Sequence, residues 1–256
     1  MPPTATAAAP WTKMNLPPHV EEILAAAPSV TVAFSIDELV ELAIKDAGPD
    51  GVHRVGYDLP SGEHKPEAEV VRVRNGVSAN YLEAYMRRRD PDCMVIGDDR
   101  PTDKPTFDER FGKPFAGVRE ETFGWLKTQP LAMFAFTAGV GDDGLLAIAI
   151  VPENAGFFAL GLAMLQGILP EDQIPENTEP RALVYGAPPF RHTHFQGKQV
   201  VVHDRSDERH ELFSHNLYPG PSAKKGIYGV LLNWGEPRGW TTAHCSTVRV
   251  HTPYDN

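Results

Sequence analysis

Apolar and polar positions along this chain follow two periods, and each predicts its own kind of element. In residues 35–46 the apolar side chains Ile36, Leu39, Val40, Ala43 and Ile44 recur every three or four positions, the spacing of one helix face. Ser35 and Glu38 stand where a capping box needs them, so the helix has a defined start. Residues 20–27 and 123–128 read the same way, as does 81–89, which Asp90-Pro91 stops. Residues 155–169 are apolar nearly all round, the mark of a buried helix. A period of two governs residues 69–74, where Val71 and Val73 alternate with Arg72 and Arg74 as in a half-buried strand. Residues 93–97 form a short apolar strand, and 131–137 and 145–151 are continuous apolar runs around a turn at 139–144. Further strands are expected at 182–185, 199–203, 229–233, 241–245 and 248–251, whereas 48–66 and 170–180 read as loops. The pattern predicts a mixed α/β (α+β) domain, a mixed sheet with flanking helices, spanning 19–256 after a flexible Ala/Pro/Thr-rich lead-in at 1–18.

Composition narrows the function classes. The 34 Asp and Glu outnumber the 24 Lys and Arg, giving a formal charge of −10, and this disfavours a nucleic-acid surface, which carries a basic stripe. The longest apolar run, 145–151, is far shorter than the ~20 residues of a membrane helix, so no membrane association is expected. The lead-in lacks the apolar stretch of a signal peptide, and two isolated cysteines, Cys93 and Cys245, fit a reducing compartment, so a cytoplasmic location is expected.

Histidines are crowded toward the end of the chain: His192, His194, His203, His210, His215, His244 and His251. In His210-Glu211-Leu212-Phe213-Ser214-His215 the second imidazole comes at i+5, turned by about 140° from the first on a helix, so this pair is read as a surface feature and not a zinc helix. His192-Thr193-His194 would place two imidazoles on one side of a strand. With His203 they form the ligand set of an alternative, a His-rich cupin-like metalloenzyme. Asp204, Arg205 and Arg209 read as a solvated loop, and so does the acidic stretch 171–179.

A third pattern is Tyr218-Pro219-Gly220-Pro221-Ser222-Ala223-Lys224-Lys225-Gly226, followed by His244-Cys245-Ser246. Two adjacent lysines beside a Pro/Gly turn make either a solvated loop or a cationic one suited to phosphate or carboxylate. Lys225 can serve as a neutral amine where Lys224 and a bound metal lower its pKa, and His244 would be a metal partner.

This third pattern resembles the ATP-dependent phosphoenolpyruvate carboxykinases, which carry a Tyr-x-Gly turn, a Lys-Lys-Gly loop and a His-Cys-Ser strand at similar spacing. Upstream, Ala182-Leu183-Val184-Tyr185-Gly186-Ala187-Pro188-Pro189-Phe190 is similar to a strand and turn of that family. The resemblance implies an amino-terminal carboxykinase fold on the substrate side, in an uncharacterised bacterial branch. It implies that Lys225 and His244 bind Mn2+ (or Mg2+) and act catalytically, and that Tyr218 lies beside the bound acid. Arg100, within Gly97-Asp98-Asp99-Arg100-Pro101, would grip a carboxylate, and Lys224 is expected to bind the substrate with it. The implied ligand is a small dicarboxylate or enol phosphate, converted in the family from oxaloacetate and ATP to phosphoenolpyruvate, ADP and CO2.

No Gly-x-x-x-x-Gly-Lys-Ser/Thr occurs in the sequence. The expected partner is therefore a separate nucleotide-binding domain, ATP enters only with that domain, and the chain alone is expected to be inactive. A non-catalytic metal- or anion-binding protein lacking the kinase half is the other alternative.

Overall fold

A computed structural model describes residues 10–59, 61–82, 92–100, 102–186, 195, 199–215 and 225–241. Helix α1 (Pro18–Ala26) starts on a proline, whose missing N–H costs nothing in a first turn. Strand β1 (Val30–Val32) leads to α2 (Ile36–Leu42), and the Ser35–Glu38 capping box read from the sequence is formed. Strands β2 (Val52–Asp58), β3 (His64–Val73) and β4 (Gly76–Tyr81) follow, then β5 (Met94–Ile96). Helix α3 (Phe107–Phe111) has its own capping box, Thr106 with Glu109, and ends on Gly112 at φ 67°, the left-handed cap that glycine accepts without strain. Helix α4 (Phe115–Leu126), β6 (Leu131–Ala138), β7 (Leu145–Pro152), α5 (Gly156–Gln166), β8 (Ala182–Gly186), β9 (Val200–Arg205), β10 (His210–His215) and α6 (Gly226–Gly235) complete the order.

Seven strands form one mixed sheet, ordered β1-β6-β7-β8-β10-β9-β5. The β6–β7 and β10–β9 pairs are antiparallel and the other neighbours parallel. Strands β2, β3 and β4 make a separate antiparallel sheet. The fold is thus mixed α+β, a mixed sheet with flanking helices.

Side-chain alternation divides the large sheet between two cores. Leu131, Met133, Ile148, Ile150, Leu183 and Phe213 pack on one face with α1, α3 and α4. Ala132, Phe134, Phe136, Ala147, Val184 and Leu212 pack on the other with α2, α5, α6 and the small sheet. Coverage of both faces is why β6 and β7 are unbroken apolar runs.

Four expectations need correction. Residues 229–233 are helical, within α6: Ile227, Val230, Leu231 and Trp234 recur at helical spacing, and Ile227 and Val230 are buried. The loop expected at 48–66 contains β2 and the start of β3, because Val55 and Tyr57 alternate inward. Tyr81 ends β4 instead of starting a helix, and residues 83–91 lie outside those described. The His210–His215 segment is a central strand, all six residues buried, and not a surface pair. The strands expected at 241–245 and 248–251 fall almost wholly outside the described residues.

Candidate functional site

Strands β9 and β10 are joined by the polar turn at 206–209, where Ser206 N–H donates to the Arg209 carbonyl at 2.8 Å. The turn sets a register in which His210 faces Arg205 and Leu212 faces His203. His203 and His210 are therefore diagonal neighbours on one face of the sheet, close enough for side chains of this length to meet. Their rings do meet: His203 Nδ1 lies 3.0 Å from His210 Nε2, with the planes at 66°. Both residues are buried, at 3% and 2% exposure.

Burial disfavours imidazolium, and the neighbouring Arg205 charge adds to that. The His203 pKa falls to about 4, and that of His210 lies well below its ordinary value, through burial first and then His203. Both rings are neutral at pH 7. Each then carries one N–H and one lone pair. The bond between them uses one of each, so the outer nitrogens, His203 Nε2 and His210 Nδ1, always hold the remaining N–H and lone pair. Neither outer nitrogen has a hydrogen-bond partner among the described residues.

The pair lines a cavity of about 620 Å³ between this sheet edge and α6. Trp234 anchors α6, with the Arg181 and Arg238 guanidinium groups over its ring. Gly229 faces the pair: a Cβ there would come within 2.8 Å of His203 Cε1. Arg100, Lys104, Arg205 and Lys225 line the cavity against two acids, Asp103 and Glu236. Asp103 pairs with Lys104, and Asp207 and Asp98 from outside the lining pair with Arg100 and Arg205.

Arg205 is already paired. Its Nε and a terminal nitrogen donate to the two Asp98 oxygens at 2.9 and 2.8 Å, and its backbone N–H donates to Asp98 at 2.7 Å. Burial alone would push the Asp98 carboxyl up, but these donors and the Arg100 N–H outweigh it and hold its pKa below the usual range. Asp98 thus ties the segment after β5 to β9 and sets the position of Arg100, whose guanidinium donates to Asp207 at 2.8 Å.

Of the site residues expected from sequence, Arg100 and Lys225 are brought to this one cavity. Lys224, Tyr218 and His244 lie outside the described residues, as do His192 and His194. His203 is in the cavity, paired with His210. Among the described residues no group of three or more His, Cys, Asp or Glu side chains is placed to hold a metal.

Sequence reasoning missed His210 and Asp98. The signal for His210 was the turn at 206–209, which sets it on the same sheet face as His203. The loop expected around Asp204, Arg205 and Arg209 is instead ordered: Arg205 pairs with Asp98, Arg209 with Glu179, and Asp204 with Arg119 at 3.3 Å. Two acids of the stretch 171–179 are paired as well, Glu179 with Arg209 and Glu171 with Lys13.

The opposite face of β9 and β10 carries a second polar group. Glu211 accepts from His19 at 2.7 Å, from the Tyr185 hydroxyl at 3.0 Å and from Arg119. This network docks α1 and α4 on the sheet and is closed by its own charges.

A family model described as a domain of unknown function (DUF4914) matches residues 16–256. A search of curated proteins gives no match.

Proposed function

The chain belongs to the DUF4914 family, and from that premise we propose that the cavity between β5, β9, β10 and α6 is the acid-binding side of a carboxykinase-like phosphotransferase. Its ligand would be a small dicarboxylate or an enol phosphate. What supports the reading is one observation: Arg100 and Lys225, which belong to separate motifs far apart in the sequence, line the same cavity. The Arg100 fork suits a carboxylate, and the Lys225 side chain suits a second carboxylate or a phosphate oxygen. The proposal extends to an amino-terminal carboxykinase fold.

Manganese (or magnesium) belongs to the same proposal through Lys225 and His244. Among the described residues that donor set is represented by Lys225 alone. One amine falls short of a metal shell, so the metal part rests on the sequence motif and no step is routed through it. These 256 residues hold no Gly-x-x-x-x-Gly-Lys-Ser/Thr run, so acid binding and not nucleotide binding is assigned to them.

Calorimetric titration of phosphoenolpyruvate and of oxaloacetate into the full chain tests this. Arg100→Gln and Lys225→Gln should each weaken binding by about tenfold or more, as loss of a charge-assisted hydrogen bond does. Equal affinity in wild type and both variants would overturn the reading.

A further inference from the structure

We propose that the His203–His210 pair is a proton-accepting binding group that takes up one proton when a doubly charged oxyanion of the phosphate-monoester or sulfate type enters the cavity. The proposal rests on the reading of this cavity as an anion site, and it assigns the pair a part that neither family motif nor metal ligation gives it.

The geometry carries it. A pair kept only for packing would have its polar ends satisfied, since a buried unmatched nitrogen costs roughly 1–3 kcal/mol. Here His203 Nε2 and His210 Nδ1 both lack partners among the described residues, and both residues line the cavity. The neutral pair offers one donor and one acceptor at its outer ends. An oxyanion without protons offers only acceptors, so one end would be mismatched. Adding a proton gives the pair three N–H groups; the inner bond uses one, and two remain to donate outward. The protonated pair is therefore matched to two oxygens of a dianion. The proton comes from solvent or buffer, and no other bond forms or breaks.

The charges facing the pair come from three elements. Arg205, from β9, is balanced by Asp98. The segment after β5 contributes Arg100, paired with Asp207, and Lys104, paired with Asp103. From α6 come Lys225 and Glu236. Burial and the Arg205 charge outweigh Asp98 and keep His203 neutral, with a pKa of about 4. A dianion supplies the compensating negative charge and makes the imidazolium favourable. Because the bound form then holds more protons than the free form, binding must tighten as pH falls from 7 toward 4, by up to tenfold per pH unit.

Sulfate is the probe, because it carries no proton at neutral pH and any uptake belongs to the protein. The full chain is titrated calorimetrically with sulfate at pH 6 in two buffers of different ionisation enthalpy. The expected result is a difference in heat equivalent to about one proton taken up per sulfate. His203→Gln and His210→Gln should abolish that uptake and weaken binding about tenfold, whereas Arg100→Gln should weaken binding and keep it. Should both glutamine variants fail to fold, long-range proton–nitrogen NMR of histidine-labelled wild type reads the same event: sulfate should bring both outer nitrogens to the N–H state. Sulfate binding without proton uptake, or with uptake that survives His203→Gln, overturns the proposal and leaves the acid-binding reading standing. Absence of sulfate binding overturns it too, and the acid-binding reading then stands or falls separately on phosphoenolpyruvate and oxaloacetate.

Discussion

Asp204 and Glu211 face each other across the β9–β10 pairing, and Arg119 reaches both. The two carboxylates are nonetheless driven in opposite directions. Burial raises Glu211, but His19 and Arg119 outweigh it and bring its pKa down to about 2. Asp204 has burial and then the Glu211 charge against it, only partly offset by Arg119, and rises to about 6.

The stability consequence has opposite signs for the two. Between the unfolded value near 3.8 and the folded value of about 6, the native state binds more protons at Asp204 than the unfolded state does. Asp204 therefore costs stability above pH 6 and its own contribution recovers as pH falls toward 4, whereas His203 and His210, with pKa values held below the ordinary 6.5, lose stability over the same fall. For Glu211 the folded value lies below the ordinary 4.5, so its contribution is present above that value and is lost as pH falls toward 2. Urea unfolding at a series of pH values should show stability falling from about pH 6.5 toward pH 4, because the two buried histidines outweigh the one raised carboxyl. In Asp204→Asn the loss of stability between pH 6 and 4 should steepen, because the one group that opposes it is gone. Glu211→Gln should cost roughly 1–3 kcal/mol at pH 7, because Arg119 keeps Asp204 but loses its charge-assisted bond to Glu211. An Asp204→Asn variant with the wild-type slope between pH 4 and 6 would contradict the raised Asp204.

Gly229 separates helix propensity from packing. Replacing a helical glycine by alanine favours a helix by about 1 kcal/mol, but at Gly229 the new methyl would meet the His203 ring at 2.8 Å. Overpacking of this kind costs about 1–3 kcal/mol, so Gly229→Ala should be neutral to destabilising. Gly124 in α4 has nothing within 4 Å of an added Cβ, and Gly124→Ala should stabilise by up to about 1 kcal/mol. Denaturant midpoints of the two variants should therefore move apart, and a rise in both would mean that α6 does not press on the histidine pair.

Local features were the readable part of this chain. The Ser35–Glu38 box is formed as its sequence implies, and Ser35→Ala should lower stability by about 1 kcal/mol in thermal unfolding. The β6–β7 hairpin was legible because two-sided burial leaves an unbroken apolar signature. Strand β10 was not, since His210, Glu211 and His215 are polar in sequence and buried in the fold. Their burial is tolerated through partners from other elements: His203, His19 and Arg119 for the first two. Such pairings are long-range and leave no period to read. Helix α6 was mistaken for a strand because the short apolar run Val230-Leu231-Leu232 is too brief for its period to be read, and the packing of Ile227 and Val230 settles it as a helix. Arg100 and Lys225 were found by motif, while their common cavity depends on β5 pairing with β9 at the sheet edge.

The Asp98–Arg205 fork holds that edge together. Asp98 is largely buried, at 9% side-chain exposure, and Arg205 is at 12%. The desolvated pair is compensated by a bidentate contact and by the Arg205 and Arg100 backbone N–H groups. Removing one member leaves the other charge buried without its partner, so Asp98→Ala should cost roughly 3–5 kcal/mol. Arg205→Lys keeps the charge but loses the fork and its bond to the Arg100 carbonyl, and should cost less, about 1–3 kcal/mol. Both should also displace Arg100 from the cavity rim and weaken phosphoenolpyruvate binding in proportion. Chemical denaturation with parallel titration measures the two effects together. If Asp98→Ala unfolds at the wild-type midpoint, the fork does not clamp β5 to β9 and the placement of Arg100 must have another cause.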